Sequence, residues 1–307
     1  MGLSLDGFLS LLKPPGMTSH DVVDFVRVLL PRIKVGHGGT LDPSAAGVLP
    51  LLLGKATRLS SFLLHSHKVY RAELYLGTTT DTGDSKGNVL AESSAPLPGT
   101  GIIEKVLQSF TGEIEQVPPM YSAVKHKGKK LYQYARQGEE VKRSPRKVTI
   151  DYMQMVERID SRRVLFEVKC SGGTYIRSLC AQIGETLGCG GHMSFLLRKR
   201  AGKFDLAETA TLEELKYGAP ESFLFPLDYL FQDMEHLKLG DNNIKALCQG
   251  RTIPWGLALR DEKINLLFKG DGKVIPVYNM ENEFVLLAKW EKDKEDRFFL
   301  KPDKVFK

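Results

Sequence analysis

From residue 68 to 76 the chain reads KVYRAELYL, with Tyr70, Ala72, Leu74 and Leu76 on one side and Arg71, Glu73 and Tyr75 on the other. A period of two held this long predicts a strand with one face on a core. Upstream, the apolar stretch Phe8 to Leu12 leads into KPPGMTS, after which the period changes. Val22, Phe25, Val26, Leu29 and Leu30 recur at the spacing of one helix face, and Ser19 or His20 opens that helix. GVLPLLLGKATRLSSFLL, from Gly47, predicts a short buried segment and then a helix. IIEKVLQSFTG predicts an amphipathic helix closed by Gly112. KVTIDYMQMVERI and RRVLFEVKCSGGTYIRSL predict strands, and IRSLCAQIGETLGC carries on as a helix. Strands and helices mix without a regular βαβ period. That pattern predicts an α+β fold rather than a doubly wound parallel sheet.

The pattern changes again near the end. A helical segment at 211–218 and a proline-containing link at 219–232 mark a boundary. Residues 233–307 are strand-rich, with turns roughly every 8–12 residues, which predicts a small β-barrel. Domains at 1–232 and 233–307 suit a chain of 307 residues. Composition adds exclusions. With 42% hydrophobic and 26% charged residues the chain is an ordinary soluble one, and its longest uncharged apolar run, Val48 to Leu53, is far too short to span a membrane. The start lacks a basic n-region and a small-residue cleavage site, so no signal peptide is expected. Cys170, Cys180, Cys189 and Cys248 form no CxxC pair. A reducing, cytoplasmic setting follows.

Charge changes the picture through its location. The net charge is +6, yet residues 121–147, YSAVKHKGKKLYQYARQGEEVKRSPRK, carry nine Lys or Arg against two Glu. Taken alone, such a run is a solvated face. Here Tyr121, Tyr132 and Tyr134 and a Gly-Lys-Lys turn interleave with it, and a basic segment with aromatic rings suits phosphates and bases. Nucleic acid becomes the expected partner.

Several motif matches fail on their context. GVLPLLLGKAT has six residues between its glycines and an alanine after the lysine, whereas a phosphate loop needs four and none. GDSKG satisfies the serine-hydrolase string but joins two non-helical segments, so it reads as a turn. His65 and His67 lie near no carboxylate or cysteine in sequence, and the H-x-E and P-C-x-x-C pair of a zinc deaminase is absent. No metal site or cofactor is expected.

What remains is polar and scattered. GHGGTLDP sets His37 among glycines and places Asp42 before Pro43. Asp-Pro by itself is a turn or an N-cap. The adjacent glycines, however, let backbone approach something closely. CSGGTYIRSL repeats Gly-Gly-Thr, and a spacing of two would put Tyr175 and Arg177 on one face of a strand. Tyr70 opens another strand; by itself each tyrosine could be an ordinary sheet residue. Together they could form a pocket with one carboxylate, one arginine to keep it ionised and aromatic rings for a planar substrate.

GHGGTLDPSAAGVLPLLLGKATRL resembles the catalytic motif of the bacterial tRNA pseudouridine-55 synthases, the TruB family. KPPGMTSHDVV, KVYRAELYLGTTTDTGDSKG, QVPPMYSAVKHKGKKLYQYARQGEEV and GGTYIRSLCAQIGETLGCGGHMSFLLRKRAGKF are similar to that family in its order, over residues 8–230 and more loosely beyond. The resemblance implies a pseudouridine synthase fold, a mixed and largely antiparallel sheet flanked by helices. It also implies a basic RNA-binding insert at 121–147 and a PUA-like barrel at the end, of which CQGRTIPWG matches the opening. Asp42 falls at the catalytic aspartate, Arg177 at its arginine partner, and Tyr70 at the tyrosine that stacks on the flipped uracil and helps remove the C5 proton. Tyr175 falls in the pocket lining, His37 at the histidine that supports base extrusion, and Leu196 at an apolar residue packing on the target base. Lys125, Lys129, Lys130 and Arg146 fall in the insert that closes over the T-arm.

The implied reaction is cofactor-free isomerisation of a T-loop uridine in tRNA. It would proceed on free tRNA, with the acceptor end near the last domain and with no guide RNA, protein partner or second subunit. Two other readings compete: the guide-dependent relative within an H/ACA particle, and an RNA-binding or tRNA-folding module whose catalysis is secondary.

Overall fold

The capping of the first helix shows how local sequence sets the frame. Thr18 Oγ accepts from the Asp21 amide at 3.1 Å while the Thr18 amide donates to Asp21 Oδ2 at 2.7 Å, so two orphan donors at the helix start are satisfied at once. In a computed structural model of the protein, residues 5–254, 272–295 and 297–307 are described. They form two units. The first takes in residues 9–52 and 59–223, the second 5–8, 53–58 and the described part of 224–307.

The first unit is α+β. Its strands are β1 (Gly7–Lys13), β2 (Val35–His37), β3 (Ala46–Leu53), β4 (Lys68–Leu76), β5 (Thr78–Thr80), β6 (Val89–Glu92), β7 (Gly112–Gln116), β8 (Lys125–His126), β9 (Lys129–Lys130), β10 (Arg146–Arg158), β11 (Arg163–Cys170), β12 (Gly191–Ala201) and β13 (Phe204–Asp205). The helices that matter are α1 (Ser19–Leu29), α2 (Ser60–His65), α3 (Thr100–Ser109), α4 (Leu131–Ala135) and α5 (Ile176–Thr186). The main sheet runs β1-β3-β12-β4-β11-β10-β7, with β2 beside β3 and β13 beside β12. Its pairings are antiparallel except that of β12 with β3, among those whose register is resolved.

The alternation read in KVYRAELYL is the alternation observed: Tyr70, Ala72, Leu74 and Leu76 are buried and the residues between them are half-exposed. They share a core with Phe166 and Val168 of β11, Ile103 and Leu107 of α3 and Leu179 and Ile183 of α5. GVLPLLL is a strand buried throughout, so it shows no alternation for a sequence reading to find. Among the described residues no helix is long and apolar enough to cross a membrane.

Two expectations need correction. The strand expected to run through CSGGTYIRSL stops at Cys170. Gly172 lies so close to the Leu64 carbonyl that a Cβ would collide with it, and Gly173 is left-handed at φ +88°. The chain therefore breaks there, Tyr175 becomes the N-cap of α5 and Arg177 sits in its first turn, so the two never share a strand face. The basic insert also ends sooner than residue 147. Arg146 opens β10 and pairs with Gln116 of β7, so the sheet resumes there. What precedes it is a two-residue hairpin, β8 and β9, turning through Lys127 and Gly128 at positive φ and leading into α4.

The second unit holds a five-stranded sheet: β14 (Leu237–Lys238), β15 (Ile253–Pro254), β16 (Val274–Tyr278), β17 (Phe284–Lys292) and β18 (Phe298–Val305), in the order β14-β16-β17-β18-β15. Its core is built on Trp290, Leu286 and Leu300, with Ile244 and Leu247 from the helix α6 (Asp241–Cys248). The units divide after Phe223, ahead of the 232/233 boundary expected from sequence. The reason is that the proline-containing link packs as part of the second unit: Asp228 accepts from the Tyr278 hydroxyl at 3.0 Å, and Phe231 stacks on Phe284 at 5.9 Å. The end of CQGRTIPWG, at Trp255 and Gly256, lies outside the described residues.

Candidate active site

The Asp42 turn is built by its neighbours. The Ala45 amide donates to the Asp42 carbonyl at 3.0 Å, closing a turn with Pro43 at its second position, where a fixed φ is favourable. Behind it lies Lys13, fully buried, whose Nζ donates to the carbonyls of Met17 at 2.6 Å, Pro14 at 2.8 Å and Pro43 at 3.3 Å. Burial lowers the Lys13 ammonium to about 8. The turn therefore rests on a buried cation.

α5 brings Arg177 to the other side. Its Nε meets Asp42 Oδ2 at 2.8 Å and its Nη2 meets Asp42 Oδ1 at 3.2 Å, a two-point, planar engagement that fixes the carboxylate's orientation. Nη2 also donates to the Tyr121 carbonyl at 2.7 Å, and Nη1 to the Thr82 carbonyl at 3.2 Å. Arg177 is 5% exposed, whereas Asp42 is 32% exposed, so the carboxylate is held from behind and open in front. Asp84 stands 3.9 Å from Arg177 Nε and is itself tied to the Thr82 hydroxyl at 2.7 Å and the Lys86 amide at 3.0 Å.

The electrostatics differ from the simple expectation. Burial pushes the Asp42 carboxyl above the ordinary aspartate range, Arg177 pulls it back, and Asp84 raises it further. The arginine does not win outright. Replacing Asp84 with Asn removes one of the raising influences, so if Asp42 acts in its ionised form the acid limb of a pH–rate profile moves to lower pH. Single-turnover rates across pH check this, and a limb that stays or moves up sinks the assignment of Asp84.

Of the remaining residues, Tyr70 and Tyr175 lie within reach of the Asp42 charge. Tyr70 is buried on β4, burial raises its hydroxyl above the usual tyrosine range, and the Arg198 charge pulls it back. Leu196 is buried in the same core cluster as Leu41, Ala45 and Tyr70. Tyr175 is fixed through its backbone: its amide donates to Gln116 Oε1 at 3.0 Å and its carbonyl accepts from Gln116 Nε2 at 3.3 Å. Burial raises the Tyr175 hydroxyl as well. His37 accepts at Nδ1 from the Gly39 amide at 3.3 Å, and burial, reinforced by the Arg198 charge, lowers its pKa, so the ring is neutral. Lys130 of the insert exerts its charge on His37, and Arg146 at the start of β10 exerts its charge on Tyr175. Lys125 and Lys129 are exposed in the hairpin with Lys130, and Lys129 lies 5.8 Å from the Tyr134 ring.

Sequence reasoning missed four members of this site. Asp84 was hidden in GDSKG, which reads as a turn and is one; a carboxylate inside a Gly-flanked turn next to TTTDT was the available signal. Gln116 and Arg198 carry no local signal, because each acts on residues far along the chain, and the reach of Lys13 to Pro43 is equally non-local. No group of three or more His, Cys, Asp or Glu side chains suited to hold a metal occurs among the described residues.

Known proteins share these residues' frame. The N-terminal domain model of the TruB family pseudouridylate synthases matches residues 27–176, and the tRNA pseudouridylate synthase B C-terminal domain model matches residues 177–237. The chain is 48% identical to a tRNA pseudouridine synthase B of Alkaliphilus oremlandii over 92% of each chain. It is 40% identical to the one of Clostridioides difficile over 98% of this chain and all of that one. In solved structures, a Cbf5-Nop10-Gar1 complex contains a chain that superposes with a TM-score of 0.73 at 31% identity, covering 99% of this chain and 85% of that one. An H/ACA ribonucleoprotein bound to a substrate RNA gives 0.72 at 27% identity, covering 99% and 86%. The α+β architecture with its C-terminal curled sheet is thus that of the pseudouridine synthase fold.

Proposed function

The chain belongs to the TruB family of pseudouridylate synthases, and from that membership we propose that it isomerises the T-loop uridine of tRNA, at position 55, to pseudouridine. The carrying observation is the Asp42 carboxylate, gripped at both oxygens by Arg177 while its outer side stays open. In the reaction the N1–C1′ bond breaks, the base turns, a C5–C1′ bond forms and the C5 proton leaves as N1 gains one. Asp42 supplies the oxygen nucleophile, at C1′ or at C6. Tyr70 stacks on the extruded uracil and assists loss of the C5 proton, Leu196 packs on the base, and Tyr175 lines the pocket. Extruding a stacked base costs a few kcal/mol, which stacking and pocket contacts offset. His37, uncharged, supports the opened loop.

Two supports favour action on free tRNA without a guide RNA. The two bacterial relatives match along nearly their full length and are named for tRNA, whereas the likeness to the Cbf5 chain is at lower identity. The second is the insert itself, whose lysines suit phosphate contacts that read shape more than sequence. Substitution is the right probe of that insert, because removing it also removes the Tyr121 carbonyl that Arg177 holds. Lys129→Ala with Lys130→Ala is expected to make the slope of log affinity against log salt shallower by about 1–2, since each phosphate that is no longer neutralised lowers it by roughly 0.9. An unchanged slope removes these lysines from the interface.

The function is tested with a T-stem-loop transcript carrying tritium at uridine C5. The protein should release tritium from it and not from a transcript in which cytidine replaces the target uridine. Absence of release under conditions of binding overturns the proposal in favour of an RNA-binding module.

A further inference from the structure

Arg198 lies on β12 directly opposite Tyr70 of β4 and opposite Gly47 of β3, and it is 1% exposed. Its Nε donates to the Val48 carbonyl at 2.8 Å, its Nη2 to the Gly39 carbonyl at 3.1 Å and its Nη1 toward the Thr40 carbonyl at 3.5 Å. Gly39 and Thr40 precede Asp42 in the chain, and Val48 follows it. Across the strand pair, its charge acts on the Tyr70 hydroxyl. Among the described residues it forms no ion pair with a carboxylate. Its hydrogen-bond partners are three carbonyl dipoles.

An isolated buried charge is expensive, and an apolar side chain of similar volume commonly does better for stability alone. What an arginine offers instead is a rigid fork of five donors, able to fix several acceptors at once; a lysine presents one nitrogen and cannot span them. The glycines around Asp42 fit the same seat. Gly47 has φ +120°, and a Cβ there would collide with the Arg198 backbone; Gly39 has φ +135°, with the guanidinium 3.7 Å from where a Cβ would stand. Gly38 is closed off by the Leu63 side chain in the same way. The glycine pattern of GHGGTLDPSAAG therefore admits Arg198 and Leu63 from within the protein.

We infer that Arg198 is a positioning residue for the isomerisation, one guanidinium that ties both flanks of the Asp42 turn to the strand position directly opposite Tyr70 and so keeps the two in a single register. Arg177 orients the carboxylate from the α5 side, and Arg198 sets the distance between that carboxylate and the tyrosine. The inference rests on the proposed roles of Asp42 and Tyr70.

The experiment compares wild type, Arg198→Lys and Arg198→Met in single-turnover tritium release, in tRNA affinity and in thermal melting. Arg198→Lys is expected to lower the rate constant by roughly 10²-fold, the scale of a small misplacement of reacting groups, with tRNA affinity within about threefold of wild type. Arg198→Met is expected to lose about a further tenfold; should it fail to fold, Arg198→Lys decides. A wild-type rate for Arg198→Lys overturns the inference, as does a rate loss matched by an equal loss of tRNA affinity or by loss of the folded transition. A wild-type protein that binds the transcript and releases no tritium overturns the proposed function and this inference together.

Discussion

Asp42→Asn is expected to lower pseudouridine formation by roughly 10⁴-fold or more, the scale on which loss of a nucleophile is felt. The change keeps the side chain's shape and one acceptor oxygen for Arg177, and removes the charge proposed to attack. Asp84, 3.9 Å from Arg177 Nε, remains to face the guanidinium. Affinity for tRNA should stay within about threefold, since the proposed contacts with the RNA are spread over the insert and the pocket walls. Stability carries a sharper expectation. A carboxyl whose folded pKa is raised binds its proton more tightly in the folded state than in the unfolded one. Its contribution favours folding at low pH and is lost as pH rises through the unfolded and then the folded value. At neutral pH the ionised Asp42 is therefore a liability to stability. Asn mimics the neutral acid, so the variant should melt no lower than wild type. Rapid-quench rates, filter binding and calorimetry test the three statements separately. Normal turnover would remove Asp42 from the reaction; a marked fall in melting temperature would mean the pair with Arg177 is a structural brace instead.

Such a trade of stability for a poised charge explains which features the sequence disclosed. Elements governed by short-range pattern were legible: the alternation of β4, the capped face of α1, the amphipathic α3. The pairing of Asp42 with Arg177 was legible too, through motif resemblance, but the backbone arrangement that makes it was not. Tyr175 and Arg177 look like strand neighbours by spacing, and only the approach of Gly172 to the Leu64 carbonyl turns them into an N-cap and a first-turn residue. That approach joins positions too far apart in sequence for a local window to see. The glycines near Asp42 announced close packing without saying against what, and the answer is Leu63 and Arg198. The apparent phosphate loop at Gly54-Lys55 shows the same limit within the second unit. Asp6 Oδ1 accepts from the Lys55 amide at 2.6 Å, so the protein's own carboxylate meets the backbone donor a phosphate would need, while the Lys55 ammonium donates to the Phe306 carbonyl at 2.8 Å. Long-range partners decide all three cases.

Arg177 is where those long-range ties converge, and its replacement should be nearly as damaging as loss of the carboxylate. Its guanidinium touches the Asp42 carboxylate at two points, the Thr82 carbonyl in the turn that carries Asp84, and the Tyr121 carbonyl at the root of the insert. Arg177→Lys keeps a positive charge but cannot reach these acceptors together. The rate is expected to fall by roughly 10²–10³-fold, comparable to removal of a preorganised donor from an active site. A second consequence follows from the sign of the electrostatics. Arg177 opposes the effect of burial on Asp42, so weakening it lets that carboxyl rise further, and the acid limb of the pH–rate profile moves to higher pH. This is opposite to the shift expected for Asp84→Asn, and the pair of variants therefore separates the two influences on one carboxylate. A third consequence concerns the insert: without its tie at Tyr121 it should hold RNA less firmly, raising the tRNA dissociation constant where Asp42→Asn leaves it unchanged. Rates against pH and binding on the same preparations decide the matter. An acid limb that moves down, or a lysine variant with wild-type turnover, would show that Asp42 is held ionised by something other than Arg177.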